Sequence, residues 1–438
     1  MYRWYVLALL TLVYAVNMAD RVLVSTMLEP IKAELHLSDS AAGFLTGAAL
    51  GVFHITMSIP IALLADRWSR KRIIAMSLVA WSAATSLCGV AASFTQLAIC
   101  RVLVGVGEAG ATPASQSLLS DLFDARRRVG TASVFATGAA IGSAIGTGIA
   151  GLVADSFGWR YVFYFFGIPG VLLAVILTLT VREPRRGVID TAQTRAPTKP
   201  PLADIVRCIW RQPTLRHVVL GGTAITFWSW GLLWWTPAFF ERSHGMTTRE
   251  IGTYLGTLHL VVGTVVVLTA GTVVHWLSKR DIRWECWAVA LLALVTTVPT
   301  VLMFASSSRN VSLVALWFYV PSLYAYIGPI FGLTQNLLVP EMRATGIAIL
   351  LFLVNLAAMV IAPQLVGFCS DWTQAHSQFG AHSLGVVLAV FALLGLWPTW
   401  HFLRAARTLR ADADHVAQRI REGSAGTSGV GATPLMAG

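Results

Sequence analysis

An all-helical integral membrane protein, with twelve transmembrane helices in two pseudo-symmetric six-helix halves, is what this sequence predicts. Three observations carry that expectation. Of 438 residues, 56% are hydrophobic and only 12% charged, against about 25% charged in soluble domains. The apolar residues come in runs of about 20, the length a helix needs to cross a bilayer. The polar breaks between the runs recur in the same order in the two halves of the chain.

The spans fall near 4–27, 41–65, 73–93, 97–120, 130–153 and 160–181, and then near 217–240, 250–276, 285–305, 311–337, 344–368 and 382–403. The first follows Arg3, lacks a small-residue cleavage site and exceeds a leader's apolar core, so it reads as an uncleaved helix. The second ends in Ala62-Leu-Leu-Ala-Asp66-Arg67-Trp-Ser69-Arg70-Lys71-Arg72, a basic turn into the third. The eighth ends similarly, in GTVVHWLSKRDI (Gly271–Ile282). SDLFDARRRVGTAS after the fourth and VPEMRATGIAI after the tenth share a second rhythm of acid, arginine and small residue. Such ordered similarity fits two halves related by an axis along the membrane normal.

This divides the chain into an N-terminal half, 1–183, a proline-bearing cytoplasmic linker, 184–215, a C-terminal half, 216–404, and a flexible tail, 405–438. The linker holds a short surface helix near Leu202–Trp210. With a cytoplasmic N-terminus, about 25 of the 32 Lys and Arg lie in inside segments and about 5 outside. Both termini are therefore expected in the cytoplasm. The outside loops are short, and several are acidic, with Glu29, Glu34, Asp39 and Asp371.

Composition also excludes functions. The net charge of +11 sits in short inter-span loops, which marks membrane orientation rather than nucleic-acid binding. Cys88, Cys100, Cys208, Cys286 and Cys369 form no CxxC pair and read as small apolar residues. No HExxH, carboxylate cluster or nucleotide-binding loop is present, so no metal, cofactor or enzymatic activity is expected. Gly105-Val-Gly107-Glu108-Ala109-Gly110 lies mid-span with no strand before it and is no dinucleotide fingerprint.

Four charges interrupt the apolar runs. Asp20 and Arg21 lie well inside the first span, Arg101 and Glu108 inside the fourth. An ionisable group at bilayer depth costs about 2.5–3.5 kcal/mol on the mildest scale, so such groups mark either a path or a buried ion pair. Arg101, Gly105 and Glu108 share one helix face. In the fifth span Gly138, Gly142 and Gly146 recur every fourth residue, a stripe for close helix packing.

The second half offers a different wall. Phe227, Trp228 and Trp230 sit deep in the seventh span, while Trp234 and Trp235 read as an interfacial belt. The tenth span adds Tyr324, Tyr326, Gln335 and Asn336, bent by Pro321 and Pro329, and the eleventh adds Asn355 and Gln364. His54 and His259 lie mid-span and serve either packing or a proton relay.

From these residues the chain resembles the major facilitator superfamily, over about residues 4–404. The Asp66-Arg67 core and basic cluster fit that family's loop between spans two and three, although Ala62 and Ser69 stand where the family has glycine. The resemblance implies a cytoplasmic gate of Asp66, Arg67, Arg70 and Arg72. The fifth span lacks the proline of the family's antiporter signature. Within the superfamily the chain is most similar to the spinster-like transporters, on Asn17-Met-Ala-Asp20-Arg21, on Arg101 through Ser115, on Gly158-Trp159-Arg160 and on Arg182-Glu183-Pro184-Arg185-Arg186-Gly187.

That resemblance implies alternating access, protons as a partner and an anionic amphiphile, such as a lysolipid or sphingoid phosphate, or an organic anion as substrate. Asp20, Arg21 and Glu108 would exchange the proton. Arg21, Arg101, Glu108, Asn17, His54, Phe227, Trp228, Trp230, Tyr324, Tyr326, Gln335, Asn336 and Asn355 would meet substrate. The protein is expected to act as a monomer in the bilayer, with no nucleic acid partner. An uncoupled facilitator or an exporter of hydrophobic or aromatic compounds is the alternative.

Overall fold

The computed structural model describes residues 1–183 and 200–428, and among them the regular structure is entirely helical. The linker stretch 184–199 and the tail stretch 429–438 lie outside the described residues.

Six long helices precede the linker, with a short helix, Leu28–Leu35, between the first two: α1 (Tyr2–Thr26), α2 (Asp39–Ile61), α3 (Arg70–Cys88), α4 (Phe94–Leu122), α5 (Gly130–Phe157) and α6 (Trp159–Thr180). After it come α7 (Leu202–Arg211), α8 (Pro213–Leu233), α9 (Thr236–His244), α10 (Thr248–Ser278), α11 (Trp284–Ala305), α12 (Arg309–Asn336), α13 (Pro340–His376) and α14 (Ser383–Arg421). Ten of these are long and apolar enough to cross a membrane, or eleven if α8 and α9, bent by 42° at their junction, count as one span. The expected twelve is thus reduced on this measure. The shortfall is α3, whose first turn is Arg70-Lys71-Arg72 and whose interior carries four Ser and Thr residues. It still packs against α4 and α6 through buried Ile74, Leu78 and Trp81.

The flexible-tail expectation also changes. The final helix runs from Leu396 to Ser428. Ala405, Leu409 and Val416 are buried along it, at spacings that put them on one helical face. An apolar stripe meeting the body of the protein keeps the chain helical past the bilayer.

Tyr2 accepts the Arg182 N–H, Tyr5 donates to Thr180, and the Thr214 N–H donates to Asp412. The start of α1, the end of α6, the start of α8 and the last helix therefore share a terminal end. The opposite, distal end carries the α1–α2 connection, the α5–α6 turn and the ends of α9 and α13. The α5–α6 turn needs Gly158, whose φ of +91° disfavours any side chain. Beyond it Trp159 and Arg160 both donate to Glu34, and these donors hold its carboxyl below the usual range.

The two halves of the chain meet along glycine. A Cβ on Gly47 would lie 2.2 Å from the Met359 carbonyl oxygen, one on Gly43 2.6 Å from that of Pro363, and one on Gly252 2.6 Å from that of Thr147. Only glycine lets these backbones approach so closely. Three π-helical turns, Phe44–Ala48, His259–Gly263 and Leu356–Ile361, interrupt α2, α10 and α13 near this seam, and π-turns recur at functional sites.

Candidate functional site

The charged residues of α1 and α4 converge. Arg21 donates from Nε to Glu108 Oε2 at 3.0 Å, and its Nη2 lies 3.1 Å from His54 Nε2. Nη1 reaches Met359 Sδ at 3.7 Å, across the seam on α13. His54 Nδ1 is 4.0 Å from Glu108 Oε2. Glu108 is fully buried, while the Arg21 side chain keeps 12% exposure. One guanidinium on α1 therefore touches α2, α4 and α13, and Arg21 and His54 are equally exposed at 12% while Glu108 is enclosed.

Local sequence builds this meeting. Gly105 lets α4 approach α2, since a Cβ there would stand 2.3 Å from the Leu50 carbonyl oxygen. Gly107 does the same for α3, where a Cβ would fall 2.6 Å from the Trp81 nitrogen. The glycines of Gly105-Val-Gly107-Glu108 thus bring α2 and α3 against the helix that carries the carboxylate.

Behind this triad lies a second pair. Arg101 donates to the Asp20 backbone carbonyl at 3.4 Å, and both residues are fully buried. The Asp20 carboxylate, the Asn17 amide, Trp81 Nε1, Thr85 Oγ1 and Glu108 Oε1 make no well-formed hydrogen bond among the described residues, although Trp81 and Thr85 neighbour the Asp20 carboxylate and Asn17 neighbours Glu108. Most buried polar atoms in proteins are satisfied, and exceptions call for a reason. Such a concentration fits groups that change partners, by taking up a proton or a ligand.

The opposite wall differs from expectation. Trp234 and Trp235 are not an interfacial belt: both are buried, and their indole N–H groups donate to the Ala358 and Pro363 carbonyls. A buried indole needs such an acceptor, and α13 supplies it. Trp228 turns into the packing of the second half and donates to the Ala392 carbonyl. Phe227 stacks on Phe391. Trp230 is half-buried, donates to the Leu323 carbonyl and meets the Tyr324 ring edge-on. Tyr324 hydroxyl and His259 Nδ1 pair at 2.8 Å, both buried, and Tyr326 is buried nearby. Asn355 is half-buried, one turn before Met359. Gln335 and Asn336 are exposed on the last turn of α12, away from the Arg21 cluster.

At the terminal end the side chains of Asp66 and Arg67 lie outside the described residues. Arg70 is held by Glu183, Asp121 and the Ser117 carbonyl. Glu183 also accepts from the Ser69 hydroxyl and the Arg70 and Lys71 N–H groups. Burial pushes its carboxyl up, but these donors prevail and hold it below the usual range. Arg72 is exposed, and its N–H donates to Ser69, which caps α3.

Sequence reasoning missed the distal seal. Arg242 on α9 binds Glu29 at 2.6 Å and Asp39 at 2.7 Å. Asp371 on α13 accepts the N–H groups of Asp39 and Ser40, capping the first turn of α2 from the other half of the chain. Ser370 and Lys32 also donate to Asp39. The acidic distal loops were the signal; only their partner was hidden. Met359 gave no signal, because a methionine in an apolar run reads as packing.

The model of the Major Facilitator Superfamily matches residues 10–363. An MFS-type efflux pump of Mycolicibacterium smegmatis is 32% identical, covering 93% of this chain and 94% of the pump. Protein spinster homolog 1 of Homo sapiens is 26% identical over 93% of this chain and 81% of its own. The crystal structure of a bacterial homolog of the human lysosomal transporter spinster, inward-facing and unoccupied, superposes with a TM-score of 0.82 at 26% identity, over 94% of this chain and 98% of that one.

Proposed function

Since the chain belongs to the major facilitator superfamily and is of its spinster-like type, it is a multi-pass membrane transporter and not an enzyme, and we propose that it couples proton exchange to movement of an anionic amphiphile by alternating access. In this reading α3 is a twelfth span, the α8–α9 pair is one bent span, the two six-helix halves rock about the seam, and the terminal end faces the cytoplasm. The distribution of Lys and Arg supports the orientation.

The observation that carries the proposal is the sharing of Arg21 among Glu108, His54 and Met359. When Glu108 is ionised it holds Arg21 by a charge-assisted hydrogen bond. Protonation removes that acceptor charge and frees the guanidinium to meet an anionic headgroup. Asp20, buried beside Arg101 with only loosely placed Trp81 and Thr85 donors, is the second carboxylate able to take a proton. Met359 ties the same guanidinium to the opposite half, so a ligand that draws Arg21 away changes the contact across the seam. A ligand moves such an equilibrium only through unequal affinity for the two states, and the exchange of partners at Arg21 supplies that inequality. The apolar wall of Trp230, Tyr324 and Tyr326 suits the tail of an amphiphile.

In proteoliposomes carrying a pH gradient, Glu108→Gln is expected to abolish gradient-driven transport while purified protein still binds substrate. Full proton dependence in that variant would remove Glu108 from the role. Thermal stabilisation by lysolipids or sphingoid phosphates, lost in Arg21→Ala, tests the ligand class. The efflux-pump relative and the aromatic wall favour a second reading, export of hydrophobic or aromatic compounds without coupling; transport indifferent to pH would select it.

A further inference from the structure

The linker helix α7 presents two apolar stripes. Ile205 and Ile209 are buried against the protein. Leu202, Val206 and Trp210, spaced by four residues, form a second stripe that stays exposed, Leu202 at 61% and Trp210 at 52%. Val206, Ile209 and Trp210 line a shallow apolar groove with Val219 and Leu220 of α8 and Ile349 and Leu353 of α13. Arg216 stands at its rim and donates to the Trp210 carbonyl at 3.4 Å. Arg207 is paired with Asp204, but neither Arg211 nor Arg216 forms an ion pair among the described residues. In a membrane protein, an amphipathic helix with an uncovered apolar stripe, an exposed tryptophan and unneutralised arginines lies in the bilayer–water boundary.

We propose that α7, the first turns of α8 and the facing side of α13 form a binding site for an anionic phospholipid of the surrounding leaflet. One acyl chain lies in the groove along Val219, Leu220 and Leu353. The phosphate and the net negative headgroup sit between Arg211 and Arg216, with Trp210 at the glycerol level. Charge decides the occupant. A zwitterionic lipid gains the apolar contact but leaves both arginines without net compensation, whereas an anionic headgroup meets them. The site involves none of the central ionisable residues and does not rest on the substrate reading.

The test uses the full-length protein in neutral detergent and in nanodiscs. Native mass spectrometry is expected to show retained phosphatidylglycerol in preference to phosphatidylcholine. Arg211→Gln with Arg216→Gln should lower the apparent affinity for phosphatidylglycerol about twenty-five-fold, since each arginine near an anionic surface contributes about fivefold. Arg407→Gln with Arg421→Gln, the same charge change on α14, should leave it unchanged. Val206→Asp provides an independent arm by charging the groove while both arginines remain, and should also reduce retention. Equal retention of the two lipids by the parent protein would overturn the proposal, as would an equal loss in the α14 variant. So would undiminished phosphatidylglycerol retention in a monodisperse Arg211/Arg216 variant.

Discussion

The two ends of this molecule use charge in opposite ways. At the distal end, Arg242 with Glu29 and Asp39, and Asp371 with the first turn of α2, tie the first half of the chain to the second. At the terminal end, Arg70 with Asp121 and Glu183, and Arg283 and Arg410 with Asp281, join residues within one half. The glycine contacts across the seam follow the same division: Gly43, Gly47 and Gly252 lie toward the distal end. Among the described residues, charge thus fastens the distal end across the seam, whereas these terminal-end pairs each join residues of one half.

The largest effect should come from the seal itself. Arg242→Ala leaves Asp39, fully buried, with only Lys32 as cation and strips Glu29 of its partner. Removing one member of a buried ion pair costs about 3–5 kcal/mol, and the partial exposure of Arg242 places this change near about 3 kcal/mol. Spin labels at Ser38 and Gln374 should then show a longer-distance population. An unchanged distance distribution would mean that charge does not hold this end shut.

Next is the glycine seam. Gly47→Ala forces a Cβ against the Met359 carbonyl, and overpacking of this kind costs about 1–3 kcal/mol. Thermal stability should fall and the distal ends should separate. Gly271→Ala, where nothing lies within 4 Å, should be neutral or slightly stabilising, because alanine favours helix by about 1 kcal/mol. Equal behaviour of the two variants would break the contrast between the ends.

A smaller change is expected at the terminal end. Glu183→Gln removes the carboxylate that binds Ser69, Arg70 and Lys71, at a cost of about 1–3 kcal/mol, without moving the distal labels. The folded Glu183 carboxyl is held below its usual range. Its contribution is therefore present above the unfolded pKa and is lost as pH falls through the folded one. Melting temperature followed into acid should fall in the parent protein and flatten in the variant. A parallel fall in both would assign the acid sensitivity elsewhere.

The smallest effect belongs to Arg309→Ala. Arg309 and Glu250 are both 44% exposed and lie in the same half, so solvent screening should leave the pair with the least effect on stability and none on the label distances. A measurable opening would show that distal charge, whether or not it crosses the seam, sets the closure.

Much of this was legible without coordinates. The apolar runs gave the helices, because helix length is imposed by bilayer thickness. Asp20, Arg21, Arg101 and Glu108 stood out through the cost of charge in oil, and the structure does bring Arg21 to Glu108. The aromatic residues were less readable. Trp228, Trp234 and Trp235 could have faced lipid, cavity or core, and the carbonyls that accept their indole hydrogens belong to residues as far as 164 positions away in sequence. The third helix was harder to recognise by apolarity than its neighbours, because basic and hydroxyl residues dilute it while packing against α4 and α6 supports it.

Sequence by itself determined that this chain is a bundle of membrane-crossing helices with four expensive charges in its first half. Local composition decides both, since each residue meets the bilayer through its own helix. Tertiary structure alone decided the partners: Met359 beneath Arg21, Arg242 between Glu29 and Asp39, Asp371 on the first turn of a helix more than 300 residues earlier. Pairings at that separation depend on how helices cross, and the crossings are set by backbones that meet only where glycine leaves room.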